Sequence, residues 1–350
     1  MTGYERCLPI YLLLDCSESM AGDAFSAMNK GLNTMIRELK TDPMALDLAA
    51  LSVITFASTA RQLSPLTELV KFNIPKLIMG SGTSLGAALE LLEKSMAKEV
   101  RKASAEHKGD YKPLVFILTD GEPTDRWDHI ADRFSQKITG KTANVIAVAC
   151  GPDAAITKLQ KITQTVVVMK NMDEVSFSEF FKWVSASVST ASQGLESASE
   201  RGVTLPNLPR ERLEIAREGI DESESTSDRY MFLHLKCVKD GAFYIARYEK
   251  IMKAGPMGGQ TLYKGTKSHP IQDFDFESGS KGEGMKVNIN KLLEPPPCPY
   301  CGNAIMAICE CGRIHCAPAF QGMTTLTCPW CKVTGTYGAA GNLDIGRGRG

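Results

Sequence analysis

Seven of the eleven cysteines fall between Cys298 and Cys331, in closely spaced pairs. Disulfides would be the expectation in a small secreted protein, but pairs of this spacing favour metal. Cys298-Pro-Tyr-Cys301 and Cys328-Pro-Trp-Cys331 are two Cys-x-x-Cys knuckles, each able to present two thiolates to one ion. Between them, Cys309-Glu-Cys311 and the adjacent His315-Cys316 supply four more donors. The candidate ligands are therefore Cys298, Cys301, Cys309, Cys311, His315, Cys316, Cys328 and Cys331, enough for one or two Zn²⁺ ions. Spacing leaves the partition open. The outer knuckles pair as a ribbon, or a cross-brace joins Cys298 and Cys301 to two residues around His315. A catalytic zinc is not expected, because it needs an open ligand position and a supporting acid or base. Cys7, Cys16, Cys150 and Cys237 sit in or beside apolar strand-like runs, where a reduced buried thiol is the ordinary reading.

A chain of 350 residues implies two or three domains. Its first half alternates β-branched apolar runs, over 8–14, 47–56, 113–119, 144–149 and 165–169, with amphipathic stretches of helical length over 24–39, 84–101 and 128–138. A further helix over 173–189 closes this domain. The pattern predicts an α/β fold with a mostly parallel central sheet. Composition then shifts to Ser, Glu, Arg and Gly. The expected divisions are an α/β domain over 6–190, a polar linker over 191–227, a small β-rich module over 228–294, a Cys-rich zinc-binding region over 295–335 and a flexible tail over 336–350. Lys plus Arg equals Asp plus Glu at 40 each, which removes the electrostatic case for nonspecific nucleic-acid or membrane-surface binding. Without an apolar run of spanning length or a cleavage-like site, a cytoplasmic protein is expected.

The first apolar strand runs into Asp15-Cys-Ser17-Glu-Ser19, at the edge of a parallel sheet where ligand sites gather. Alternate positions of an extended loop point the same way, so Asp15, Ser17 and Ser19 can converge. Two further loops fit the same geometry: Gly80-Ser-Gly-Thr83 opens a helix, and Thr119-Asp120-Gly-Glu-Pro ends the central strand. Hard oxygens suit Mg²⁺ or Mn²⁺. Each piece alone is a common turn composition; three in the right order are not.

These residues resemble the von Willebrand factor A (vWA) family, whose metal-ion-dependent adhesion site (MIDAS) combines Asp-x-Ser-x-Ser with a separate Thr and a separate Asp. The resemblance implies a Rossmann-like doubly wound domain. It further implies Ser17, Ser19 and Thr83 as direct cation ligands, with Asp15 and Asp120 acting through water or hydrogen bonds. A vWA domain followed by a β-rich stretch and this cysteine pattern resembles the TerY family associated with tellurium resistance, with its C-terminal TerY-C domain. That resemblance implies a bacterial stress-response setting and partners such as a Ser/Thr kinase and a PP2C-type phosphatase.

The function expected is a non-catalytic adaptor whose Mg²⁺ captures a partner's Asp or Glu carboxylate. Its rivals are an enzyme-associated zinc protein, ubiquitin-ligase-like or hydrolytic, and a nucleic-acid-binding zinc ribbon. No Ser-His-Asp or Cys-His order is recognisable, and neutral charge gives the ribbon little to hold nucleic acid with. Glu122 and Asp125 stand beside Asp120 as candidates to tune the cation site.

Overall fold

The structure is a computed structural model and describes residues 6–105, 108–151, 156–197, 206–209, 212–216, 230–253, 260–271, 286–319, 322–338 and 344–346. The acidic serine run 221–228 and the terminal Arg347 and Arg349 lie outside the described residues. The chain divides into two compact units: Met1–Cys16 with Asp23–Leu77 and Thr83–Ser225, and Ser17–Gly22 with Ile78–Gly82 and Thr226–Gly350.

In the first unit the elements run β1 (Leu8–Asp15), α1 (Asp23–Thr41), α2 (Pro43–Leu48), β2 (Ala49–Phe56), β3 (Ala60–Glu68), α3 (Leu85–Glu99), β4 (Leu114–Thr119), α4 (Asp128–Lys137), β5 (Asn144–Cys150), α5 (Ile156–Ile162), β6 (Val166–Met169), α6 (Glu174–Ser197) and β7 (Leu213–Ile215). They build a seven-stranded sheet of order β3-β2-β1-β4-β5-β6-β7. The five inner strands pair in parallel, and the two edge strands are antiparallel. Continuous apolar runs form the inner strands because both faces are covered. On β4, Val115 and Ile117 pack with Leu89, Leu92 and Phe134 of α3 and α4. The intervening Phe116 meets Phe180 and Trp183 of α6 edge-on, at 6.4 and 6.1 Å, as the two-residue period of a strand requires. Each such fully buried aromatic contributes about 1.5–3 kcal/mol. Helices α1 and α6 approach closely at Gly31, where a Cβ would stand 2.4 Å from the Phe181 ring.

Strand order reverses between β1 and β4, the switch point at which open α/β sheets bind ligands. Two strands depart from the sequence expectation. β3, with Pro65 and a half-exposed pattern, carries no clean alternation; proline is tolerated there because the strand lies at the edge. β7 falls inside the stretch expected to be linker, yet it pairs with β6 and buries Leu213.

In the second unit β8 (Tyr230–Lys236), β9 (Phe243–Lys253), β10 (Gln260–Pro270), β11 (Lys286–Asn288), β12 (Leu292–Leu293), β13 (Ile305–Ile308), β14 (Ile314–Ala317), β15 (Thr324–Thr327), β16 (Thr334–Tyr337) and β17 (Asp344–Gly346) follow in order. Six of them form one sheet, β12-β10-β9-β8-β14-β13. The expected division at 294/295 is thereby corrected: β13 and β14 of the Cys-rich region continue the sheet begun by β8–β10. The core joins Met231, Leu233, Tyr244 and Tyr248 to Cys237, Cys298 and Cys316. Pro296 packs closely on β10, where Gly265 leaves no room for a side chain beneath Glu294 and Pro296. The expected tail is also partly structured: β17 pairs with β11 and buries Ile345.

Candidate metal centres

Asp15 ends β1, and Asp120 follows the adjacent parallel strand β4. Both are buried, and the Thr119 hydroxyl donates to Asp15 Oδ2 at 2.6 Å. The loop carrying Thr83 is stapled to the loop after β4: Thr83 N–H donates to Thr124 Oγ1 at 2.9 Å, and Thr124 N–H to the Thr83 carbonyl at 2.8 Å. Thr83 itself is fully buried, and its hydroxyl has no hydrogen-bond partner among the described residues. An orphaned buried hydroxyl costs about 1–3 kcal/mol, so this oxygen fits a cation ligand better than it fits the core.

Ser17 and Ser19 continue directly from Asp15, with their hydroxyls 2.8 Å apart. Their convergence comes from a 3-10 turn over Glu18–Met20, not from the extended loop expected. Within this turn Glu18, passed over in the sequence, is fully buried and accepts the Gly82 N–H at 2.5 Å. Asp125 and Glu122 are occupied otherwise: Asp125 caps α3 through the N–H groups of Gly86 and Ala87, and Glu122 pairs with Lys158 at 2.6 Å.

The cysteines form two groups of four whose sulfurs all lie within 4.8 Å of one another: Cys237, Cys298, Cys301 and Cys316, and separately Cys309, Cys311, Cys328 and Cys331. All are free thiols. Cys301 and Cys316 are 3.5 Å apart at sulfur, Cys309 and Cys331 3.6 Å, Cys311 and Cys328 4.0 Å. A metal–sulfur bond of about 2.3 Å gives a tetrahedron edge of roughly 3.8 Å, so both groups fit four-coordinate thiolate sites. Four thiolates this close repel one another and ionise together only around a cation.

Turn geometry explains how they gather. Cys298 N–H donates to the Asn303 carbonyl, and Gly302 N–H returns to Cys298. Cys328 repeats this with Val333 and Lys332, Cys309 with Arg313 and Gly312, and Cys237 with Ala242 and Gly241. The residue closing each turn is left-handed: φ is 75° at Gly241, 76° at Gly302, 79° at Gly312 and 64° at Lys332. Cys237 is thus the missed ligand candidate. It sits in a knuckle with a single cysteine, and the signal was Gly241 four residues on. Burial pushes its thiol up to about 11. Burial also opposes the Cys309 thiolate, but the Cys311 N–H, the Tyr337 hydroxyl and neighbouring thiols bring it down to about 6.

His315, expected among the ligands, belongs to neither group. Its Nδ1–H donates to the Cys316 carbonyl at 2.9 Å, its Nε2 has no hydrogen-bond partner among the described residues, and its ring stands edge-on to Tyr337. Successive residues of a strand point to opposite faces. On β14, Cys316 faces the first group and His315 turns away from it. The resulting partition is neither of the two expected: Cys298 and Cys301 join Cys316 and the distant Cys237.

This architecture and these sites define a vWA-type protein with a separate metal-binding domain, and comparison with known proteins agrees. The von Willebrand factor type A domain model matches residues 10–182, and the TerY-C metal binding domain model matches residues 228–350. The chain belongs to the vWA domain proteins that carry a C-terminal TerY-C domain. No curated protein matches it. Among solved structures it is similar to proximal thread matrix protein 1 from the mussel byssus, at 19% identity over 53% of this chain and 48% of that one, with a TM-score of 0.40. The same mussel protein with a zinc-occupied MIDAS motif matches at 18% identity over 53% and 48%, with a TM-score of 0.39. The ArnB paralog VWA2 from Sulfolobus acidocaldarius matches at 10% identity over 79% and 68%, with a TM-score of 0.38. The chain thus spans about half the length (48%) of the mussel protein. Among the described residues no helix is long and apolar enough to cross a membrane.

Proposed function

We propose that this chain is a non-catalytic adaptor in which Asp15, Ser17, Ser19, Thr83 and Asp120 hold a Mg²⁺ ion and the two cysteine groups hold one Zn²⁺ each. The observation that carries the first half is the buried Thr83 hydroxyl, which lacks a hydrogen-bond partner among the described residues. A cation held mainly by neutral hydroxyls keeps a position open for a partner's Asp or Glu carboxylate. The chain's own contribution is positioning: Thr119 orients the Asp15 carboxylate, and the Thr124 staple fixes the Thr83 backbone. The cysteine groups serve folding, since closed four-thiolate sites leave no position for a reacting water. On the strength of the TerY-C domain, we place the adaptor in a phosphorylation-linked, tellurium-resistance-like complex with a Ser/Thr kinase and a PP2C-type phosphatase.

Calorimetric titration of Mg²⁺ and Mn²⁺ into the zinc-loaded protein tests the site directly. Thr83→Ala should weaken cation binding by at least about tenfold, while the thermal midpoint stays level or rises because an orphaned hydroxyl has been removed. Unchanged cation affinity in this variant and in Asp120→Ala would refute the reading. Co-purification of tagged protein with and without Mg²⁺ then tests the partners, and phosphoester hydrolysis above background would contradict the non-catalytic role.

A further inference from the structure

Beside the second cysteine group the structure assembles a cluster of cations on an aromatic platform. Lys236, at the end of β8, holds its ammonium 4.2 Å from the centre of the Phe243 ring and 4.7 Å from that of Trp330. The Arg313 guanidinium lies 5.0 Å from the same indole. Burial and then the charges of Lys332 and Arg313 hold the Lys236 ammonium below the usual lysine range, against the pull of the nearby Cys328 thiolate. Arg313 and Lys332 are exposed, while Lys236, Phe243 and Trp330 are half-buried. None of the three cations makes an ion pair among the described residues.

The platform beneath them is built rather than incidental. The Trp330 N–H donates to the Ile314 carbonyl at 2.7 Å, and the Tyr300 hydroxyl donates to the Phe243 carbonyl at 2.8 Å. The rings meet edge-on at 5.4 Å. Lys332 adds an independent observation. The other three cysteine turns close on a left-handed glycine, whereas this one closes on a lysine at φ 64°. A side chain in that conformation is strained, and what it contributes here is a third positive charge.

We infer that Lys236 and Arg313, held over Trp330, and Lys332, whose charge reaches Lys236, form a docking site for a phosphorylated side chain of a polypeptide partner. Two cations over one indole, with a third within electrostatic reach, make a compact focus suited to a single dianionic group, which charge-assisted hydrogen bonds from lysine and arginine recognise. A nucleic-acid strand fits less well. It needs a basic track with free aromatic faces for bases, and here the indole is already engaged by the chain's own cations.

The test is an NMR titration of the full-length, zinc-loaded protein without added Mg²⁺, following the indole N–H of Trp330, assigned by its loss in Trp330→Phe. The probe is N-acetyl-phosphoserine amide; its unphosphorylated and glutamate counterparts and a single-stranded oligonucleotide are run beside it. The phosphorylated probe should shift the Trp330 signal saturably, the serine compound should not, and the glutamate compound should bind more weakly. Arg313→Gln and Lys332→Gly should each weaken binding by about tenfold with zinc content unchanged. Lys332→Gly also relieves the left-handed strain, so binding lost there with zinc content and thermal midpoint retained reports the loss of the charge. The inference fails if no saturable shift occurs, if the oligonucleotide binds more tightly than the phosphoserine compound, or if the variants lose zinc. That last outcome would mean that the cations only balance the charge of the thiolates. Because the readout is local to Trp330 and no Mg²⁺ is added, failure here is distinct from failure of the cation site.

Discussion

The two cysteine groups are alike in chemistry and opposite in setting. Cys237, Cys298 and Cys316 are buried within the apolar core of the six-stranded sheet. Cys311 and Cys331 are exposed on the tips of the β13–β14 and β15–β16 hairpins. The first group draws its members from the turn after β8, from the turn before β13 and from β14, with Cys237 far from the others in sequence. It stands where β8 and β14 pair in parallel over only two positions, Leu235 with Ile314 and Lys236 with His315. The Val238 N–H donates to Cys316 Sγ at 3.3 Å beside that short ladder. The second group ties two local hairpins tip to tip. A metal in the first place closes a long loop and joins two halves of a sheet; in the second it staples turns already formed by their own hydrogen bonds.

The largest expected effect would break this comparison outright. Cys316→Ser should cost several kcal/mol and unfold the C-terminal sheet, because structural zinc contributes about 10–16 kcal/mol of apparent binding energy to folding and the β8–β14 ladder spans only two positions. Cys331→Ser should release one metal equivalent, read by elemental analysis, while far-UV circular dichroism keeps the β signal. Equal unfolding by both would show that the two groups share one folding role.

Chelation sharpens the same contrast. A zinc indicator with excess chelator should report two phases of one equivalent each, the fast one from the group with exposed thiols. Carrying out the release in Cys331→Ser should abolish the fast phase alone. A single phase in the intact protein would mean that solvent access to Cys311 and Cys331 does not govern exchange.

How much of this was legible varies with the physics of each segment. The inner strands of the first unit were readable because burial on both faces leaves unbroken runs such as Leu114–Thr119. The edge strands were not: β3 is half exposed and interrupted by Pro65, and the three residues of β7 lie in a polar stretch. Seven of the eight clustered cysteines stood out by spacing. Cys237 did not, because it ends an apolar strand and looks like a core thiol; only Gly241, in the place Gly302 holds after Cys298, marks its turn. His315 was over-read for the converse reason. Adjacency to Cys316 is attractive in a sequence, but on β14 adjacency means opposite faces. The boundary at 294/295 failed because strand pairing between distant segments leaves no local trace.

His315 provides a smaller test. If the partition by groups holds, His315→Gln should retain both metal equivalents and lose about 1 kcal/mol, the worth of its hydrogen bond to the Cys316 carbonyl. Loss of a metal equivalent would return the histidine to the ligand set.

The smallest expected effect separates the groups at their turns. Gly302, beside Cys301 of the first group, and Lys332, beside Cys331 of the second, occupy the same left-handed position. A non-glycine residue there costs about 1–2 kcal/mol. Gly302→Ala should therefore destabilise, while Lys332→Gly should stabilise by up to about 1 kcal/mol, the gain being reduced by the greater freedom of glycine in the unfolded chain. Denaturant titration with metal held in excess reads both changes. If Lys332→Gly instead lowers stability, the lysine makes a structural contribution that its exposed side chain does not reveal, and the turn of the second group is more than a local staple.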